Sequence, residues 1–220
     1  MKQGVLVGCS REQEDLLEWW WGCYSKHNTL PVCFVTYEFD LKDSLRLLER
    51  GEVVQSNEPF SKGTFRKVTA FSLSPFDVNL WLDLDCEVRG DLSPIFSLFS
   101  SGCVFCPRGP RKCGTNDPYG WFKMCNSGSW VRDTGLILAD RDGRLYRKWF
   151  ADVQAFSHMY HGENETLVVV ADREGLPIGE VSDQMFQSCH LNVYPNPLVF
   201  HWIGGRGKYL LRERIARERL

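Results

Sequence analysis

Between Val78 and Val88 an apolar run delivers three carboxylates, and few folds can accommodate that. In Val78-Asn79-Leu80-Trp81-Leu82-Asp83-Leu84-Asp85-Cys86-Glu87-Val88, strand alternation sends Leu80, Leu82 and Leu84 to one face and Asp83, Asp85 and Glu87 to the other. Carboxylates left unpaired in a core would cost on the order of several kcal/mol each. They therefore require water, cationic side chains or a metal ion. Two readings satisfy this. One is a solvated strand end with an ordinary turn. The other is a buried strand whose carboxyl end hands Asp83 and Asp85 to a divalent cation.

The rest of the chain has to support such a strand. With 220 residues at 43% hydrophobic, it can bury a sizeable core as a single domain. A formal net charge of -2 argues against a nucleic-acid binder that works by broad phosphate neutralisation. No apolar run approaches the ~20 residues of a membrane span, and Met1 to Gly4 lead straight into a strand-like run without a signal-peptide pattern. Nine cysteines, an odd number spread along the chain, suit reduced thiols rather than a disulfide framework. The expected setting is the cytoplasm.

Strand-like and helical stretches alternate. Gly4 to Cys9 reads as a buried strand, and Arg11 to about His27 as a helix with Leu17, Trp20, Trp21 and Tyr24 on its core face. The Trp19-Trp20-Trp21 run reads as packing rather than a sugar-stacking platform. Val32 to Tyr37 is a strand. Asp40 caps a helix whose Leu41, Leu45 and Leu48 share a face and which Gly51 stops. A short strand at Glu52 to Gln55 and a helix from Gly63 to Leu73, carrying Arg66 and Lys67, precede the acidic strand. Beyond it come a helix start at Ser93-Pro94-Ile95-Phe96, a strand at Cys103 to Cys106, and a long loop from Arg108 to Ser127. Then follow a strand at Leu136 to Leu138, a helix from Leu145 to about Tyr160, a helix from Glu165 to Ala171, and a strand at Leu198 to Trp202. A loop, Gly204-Gly205-Arg206-Gly207-Lys208, leads to a charged helix docked through Leu210, Leu211 and Ile215. The expected class is α/β, a mostly parallel sheet with helices on both faces.

In open α/β sheets, ligands bind beyond the carboxyl ends of the strands, where Asp83 and Asp85 lie. Magnesium and manganese take oxygen ligands, with substrate phosphates completing the shell. His201 ends a late apolar strand and offers a third ligand, while Arg206, Lys208 and the N–H groups of the glycine-rich loop suit phosphate oxygens. The P-loop spacing is absent, as are the G-x-S-x-G elbow and the G-x-G-x-x-G fingerprint. Cys103, Cys106, Cys113 and Cys125 invite a zinc reading, but only the first pair has knuckle spacing, on a strand-like segment. The cluster Arg206, Lys208, Arg212, Arg214, Arg217 and Arg219 suits an anionic membrane. Glu213 and Glu218 interrupt it, which favours a solvated helix face.

In this order, Arg66-Lys67, Ser74-Pro75-Phe76, Leu80 to Val88, Gly90-Asp91-Leu92-Ser93-Pro94-Ile95-Phe96, Asp133-Thr134-Gly135 and His201 to Lys208 resemble the GT-A nucleotide-diphospho-sugar transferases. The likeness is to the glycogenin-like and lipopolysaccharide-glycosyltransferase branch, and it covers about residues 3 to 210 except 107 to 128. It implies a single GT-A, Rossmann-like domain, with residues 1–100 as the nucleotide-sugar half. Residues 101–220 would form the acceptor half, bearing the C-terminal metal and diphosphate loop and helix. It implies metal ligation (Mn2+ or Mg2+) by Asp83, Asp85 and His201, and donor-diphosphate contact by Lys208 with Gly205 in the same loop. The nucleotide would meet Lys67, Arg66, Val7, Gly8, Cys9 and Leu84. Asp133, Thr134 and Gly135 match a turn lining the sugar, with Asp in place of the family's Asn. Gly162-Glu163-Asn164-Glu165 resembles a G-D-Q-like segment with both polar positions altered, and Glu163 and Glu165 are its acceptor-side candidates.

The implied activity is metal-dependent hexosyl transfer from a nucleotide-diphosphate sugar, with UDP the family's usual nucleotide, to an acceptor glycan, lipid or protein, with retention. The alternatives are a non-catalytic nucleotide-sugar or carbohydrate-binding protein of the same fold, and a sugar nucleotidyltransferase.

Overall fold

The structure, a computed structural model, describes residues 1–37, 47–56, 63–113, 124–125, 128–190 and 194–218. Its centre is an eight-stranded sheet. Strands β1 (Gln3–Ser10), β2 (Val32–Tyr37), β3 (Glu52–Gln55) and β4 (Val78–Leu82) form the parallel half, in the order β3-β2-β1-β4. Next to β4 run β8 (Leu136–Asp140), β6 (Val104–Lys112) and β7 (Trp130–Arg132), antiparallel at each step, and β9 (Ile178–Val181) pairs parallel with β6. A second sheet joins β5 (Cys86–Val88), β11 (Val199–His201) and β10 (Phe186–Ser188).

Helices cover both faces of the larger sheet because β1 and β4 are apolar on both. Val5, Val7, Leu80 and Leu82 meet helix α1 (Glu14–Ser25), the one-turn helix α3 (Ser93–Phe96) and helix α6 (Gly204–Glu218) in one core. Leu6 and Trp81 meet helices α2 (Arg66–Ser72), α4 (Arg144–Phe156) and α5 (Glu163–Glu174) in the other. Burial on both faces is what a near-continuous hydrophobic run is for. Within the tryptophan run, Trp20 is fully buried and stacks on Tyr24 with ring centroids 5.0 Å apart. Its flanking Trp19 and Trp21 only border that core. No described helix is long and apolar enough to cross a membrane.

Several expectations need correction. The segment Arg108 to Lys112 is strand, not loop, because β6 continues beside β7. The Gly204 to Lys208 segment is not a loop either: it forms the start of α6. That helix docks through Leu211 and Ile215, whereas Leu210 is 45% exposed. The helix start at Asp40, with Leu41 and Leu45, lies outside the described residues. At its end Leu47 is buried and Leu48 is 56% exposed. The basic face of α6 is largely ion-paired: Arg212 to Asp15, Arg214 to Glu87 and Glu218, and Arg217 to Glu213.

Candidate active site

The apolar members of the acidic stretch, Leu80, Leu82, Leu84, Cys86 and Val88, all enter one core, but the acids part company. Strand β4 stops at Leu82, a turn carries Asp83 to Asp85, and β5 starts in the other sheet. The turn is pinned by the Asp83 N–H donating to the Gly135 carbonyl at 2.9 Å and the Cys86 N–H donating to the Asp83 carbonyl at 2.9 Å. Glu87, expected on the same face as the aspartates, instead accepts from Arg89 (2.7 Å), Arg214 (3.1 Å) and Trp202 Nε1 (3.2 Å). The alternation holds for the even-numbered residues on both sides of the turn, and Glu87 parts from the aspartates because β5 belongs to the other sheet.

Asp83 is held by two donors. Trp81 Nε1 donates to Oδ1 at 2.6 Å, and Lys67 Nζ reaches Oδ1 at 3.0 Å and Oδ2 at 3.1 Å. The indole fits because position 8 is glycine: a Cβ there would lie 2.4 Å from Trp81 Cη2. Lys67 Nζ also meets the Thr134 carbonyl and Glu163 Oε1, each at 3.1 Å. Burial works against its charge, but Asp83 and Glu163 together hold the ammonium above the usual lysine range. Thr134 Oγ1 donates to the same Glu163 oxygen at 2.7 Å.

Asp85 is almost wholly buried, with Lys208 Nζ 3.6 Å from Oδ2 and His201 Nε2 3.3 Å from Oδ1. His201 Nε2 also lies 3.9 Å from Asp83 Oδ2. Burial opposes the charge on Asp85, yet His201, Lys208 and Lys67 bring its carboxyl down to about 2. Burial likewise opposes protonation of His201, and Asp133 and Asp85 outweigh it, holding the imidazole well above its ordinary value. The ring is seated against Gly135, where a Cβ would sit 2.4 Å from Cε1.

Beside these groups opens a cleft of ≈ 480 Å³, lined among others by Gly8, Ser10, Tyr37, Thr64, Arg66, Lys67, Trp81, Asp83, Leu84 and Lys208. Of the anticipated nucleotide-side residues, Gly8, Arg66, Lys67 and Leu84 line it. The side chains of Val7 and Cys9 belong to the α1-side core, and Gly205 is exposed on α6. Asp133, Thr134 and Gly135 gather around His201, Glu163 and Lys67 instead of lining the cleft. Glu165 stands apart, its carboxylate accepting the N–H groups of Met124 (3.1 Å) and His161 (2.8 Å). Two residues escaped the sequence reading. Trp81 shares strand parity with Asp83, and Tyr37 ends the strand two places from β4, so both had a signal in the alternation and the strand-end rule.

Carboxylates and an imidazole suit a hard divalent ion, and here the turn after β4 brings Asp85 Oδ1 and Asp83 Oδ2 to 3.3 and 3.9 Å from His201 Nε2 on β11. Asp85 Oδ1 is buried and makes no hydrogen bond, with His201 Nε2 3.3 Å away, and is the kind of oxygen an ion would satisfy. Asp85, Cys86 and His201 place their ligand atoms within 4.8 Å of one another, and Asp83 is not part of that group. This is the one group of three or more such residues among those described, and the Cys103, Cys106, Cys113 and Cys125 set forms no zinc cluster there. All nine cysteines are free thiols.

No protein-family model matches the sequence, and no curated protein matches it. Solved structures match nearly the whole chain. The apo glycosyltransferase GlyE of Streptococcus pneumoniae TIGR4 superposes with a TM-score of 0.65 at 16% identity, over 93% of this chain and 55% of that one. The galactosyltransferase LgtC, solved with donor and acceptor sugar analogues, gives 0.65 at 10% identity, over 91% of this chain and 87% of that one. Mouse xyloside xylosyltransferase 1 gives 0.60 at 12% identity, over 91% and 97%. The chain thus spans about half the length of GlyE. At these identities the likeness establishes the fold, and it is the GT-A fold of these transferases.

Proposed function

We propose that the protein is a metal-dependent glycosyltransferase that moves a hexose from a nucleotide-diphosphate sugar, with UDP as the nucleotide, to an acceptor with retention of configuration. The observation that carries this reading is the approach of Asp83 and Asp85 to His201 at the carboxyl end of β4, with Asp83 lining the 480 Å³ cleft and Asp85 and His201 buried behind it. The buried Asp85 oxygen that makes no hydrogen bond and the fold shared with GlyE and LgtC support it. In this reading residues 1–100 bind the donor, residues 101–220 bind the acceptor, and the cytoplasm is the setting.

A manganese or magnesium ion held by Asp83, Asp85 and His201 would supply positive charge to the departing diphosphate. Lys208, which lines the cleft from the second turn of α6, adds a side-chain cation. Two unit charges ~4 Å apart near a protein surface interact by roughly 4 kcal/mol. Expressed mainly in the transition state, that is about three decades in rate. Arg66 and Tyr37, stacked with the guanidinium 5.4 Å from the ring centroid, border the side of the cleft where the nucleotide would lie. Glu163 is tied to Lys67 and Thr134, and Glu165 to backbone amides. Neither is free to act as a general base, which suits a retaining transfer.

The test is a thermal-shift panel of UDP, GDP, CDP and ADP, each with and without Mn2+. A ligand at 100 times its dissociation constant stabilises by ~2.7 kcal/mol, or roughly 5–10 °C at this chain length. The expected result is a shift with UDP that requires Mn2+ and disappears in Asp85→Ala while the fold persists. An unchanged shift in that variant removes the metal assignment.

The tied Glu163, together with Asn164, whose Oδ1 accepts the Glu165 N–H at 2.8 Å, favours a second reading: a nucleotide-sugar-binding protein that transfers nothing. Slow donor hydrolysis without acceptor would exclude it, and release of pyrophosphate would instead identify a nucleotidyltransferase.

A further inference from the structure

Asp133 stands where the resemblance expects an asparagine lining the sugar, and its carboxylate is engaged elsewhere. Oδ1 lies 3.0 Å and Oδ2 3.2 Å from His201 Nδ1. Oδ1 also accepts the Gly135 N–H at 3.0 Å, so the carboxylate is fixed from its own backbone. Its side chain is 8% exposed and that of His201 3%, which leaves neither room to rotate away. Across the ring, Nε2 faces Asp85 and Asp83. An imidazole whose Nδ1–H is held by a carboxylate presents its lone pair at Nε2, in a fixed ring orientation and with raised basicity.

We propose that Asp133 is a positioning residue for the metal-binding histidine: with His201 it forms a carboxylate–imidazole pair that selects the Nδ1–H tautomer and aims Nε2 at the ion, and it is not a contact to the transferred sugar. The inference rests on the reading of Asp83, Asp85 and His201 as a metal centre. It accounts for the exchange of Asn for Asp. Asparagine would keep an acceptor for the Nδ1–H and for the Gly135 N–H, but it would lose the charge that makes the imidazole a stronger ligand.

The experiment measures Mn2+ affinity in the presence of UDP, from the electron paramagnetic resonance signal of free Mn2+. It compares the unsubstituted protein with Asp133→Asn, Asp133→Ala, His201→Ala and the Asp133→Asn/His201→Ala pair. UDP lacks the transferred hexose, so a role of Asp133 confined to hexose contact leaves the Asp133→Asn and Asp133→Ala values equal to that of the unsubstituted protein. The expected result is a loss of about tenfold in Asp133→Asn and about 100-fold in Asp133→Ala. No further loss is expected when Asp133→Asn is added to His201→Ala, since residues acting through one ligand are not additive.

An Asp133→Asn protein that binds Mn2+ as tightly as the unsubstituted one overturns the proposal, as does a loss repeated in full on the His201→Ala background. Absence of Mn2+ uptake by the unsubstituted protein removes the metal centre itself, and Asp133's role with it. Melting curves recorded in EDTA report folding. If Asp133→Ala does not fold, the near-isosteric Asp133→Asn and its pairing with His201→Ala carry the test.

Discussion

Lys67 is the residue that lets two acids share a small, mostly buried space. Its ammonium touches Asp83, Glu163 and the Thr134 carbonyl, and without it the buried Glu163 would face Asp83 with no compensating cation. Removing one partner from a buried pair costs roughly 3–5 kcal/mol. Because a quarter of the Asp83 side chain is exposed, the lower end applies. Lys67→Met is therefore expected to lose about 3 kcal/mol and to lower the melting midpoint by roughly 6–12 °C. A second change, Glu163→Gln, should recover part of that loss, and thermal melts of the two variants decide it. The family resemblance implied Lys67, with Arg66 as its competitor, as a base near the nucleotide, and both line the cleft. The partners of Lys67 come from three segments distant in the chain, and nothing local in a single sequence announces such a meeting. What was legible for Asp83 is that it ends an apolar strand and needs water, a cation or a metal there, and Lys67 is such a cation.

At the level of elements, α6 separates residues that helical spacing alone does not. Leu211 is fully buried and Leu210, one position away on the turn, is 45% exposed. Truncating a buried leucine leaves a cavity and costs about 2–5 kcal/mol, whereas an exposed one costs within about 0.5 kcal/mol. Leu211→Ala should thus lower the melting midpoint by several degrees while Leu210→Ala leaves it in place; equal shifts would mean that α6 docks by another face. The start of α6 was hidden because three glycines oppose helix propensity, and tertiary docking overrides them. Strands β9 and β10 were hidden for a different reason. They are four and three residues long, too short to display a period, and their pairing with distant strands is what forms them. The apolar runs of β1, β2, β4 and β8 and the helical stripe of α1 were long enough to be read directly.

For the whole molecule, the interior holds many groups that must stay neutral. Burial pushes the thiols of Cys33 and Cys106 up to about 12, and raises those of Cys9 and Cys86 as well. A thiol whose folded value is raised contributes stability that is complete below its ordinary value of 9.0 and is lost as pH climbs toward the folded value. Each such group gives up about 1.4 kcal/mol by pH 10. The melting midpoint should therefore fall by roughly 10 °C or more between pH 8 and pH 10, and Cys33→Val together with Cys106→Val should flatten the fall. A flat profile in the unsubstituted protein would contradict this account. The two sheets carry a further consequence, for the birth of the protein. Every strand of the eight-stranded sheet lies before residue 182, whereas His201 arrives on β11, which pairs with β5 directly after the Asp83–Asp85 turn. A nascent chain can therefore bring every strand of its large sheet out of the ribosome while His201 is still in the exit tunnel. Under the proposed function the metal centre is completed only after that sheet, and a chain cut before β11 would carry Asp83 and Asp85 without His201.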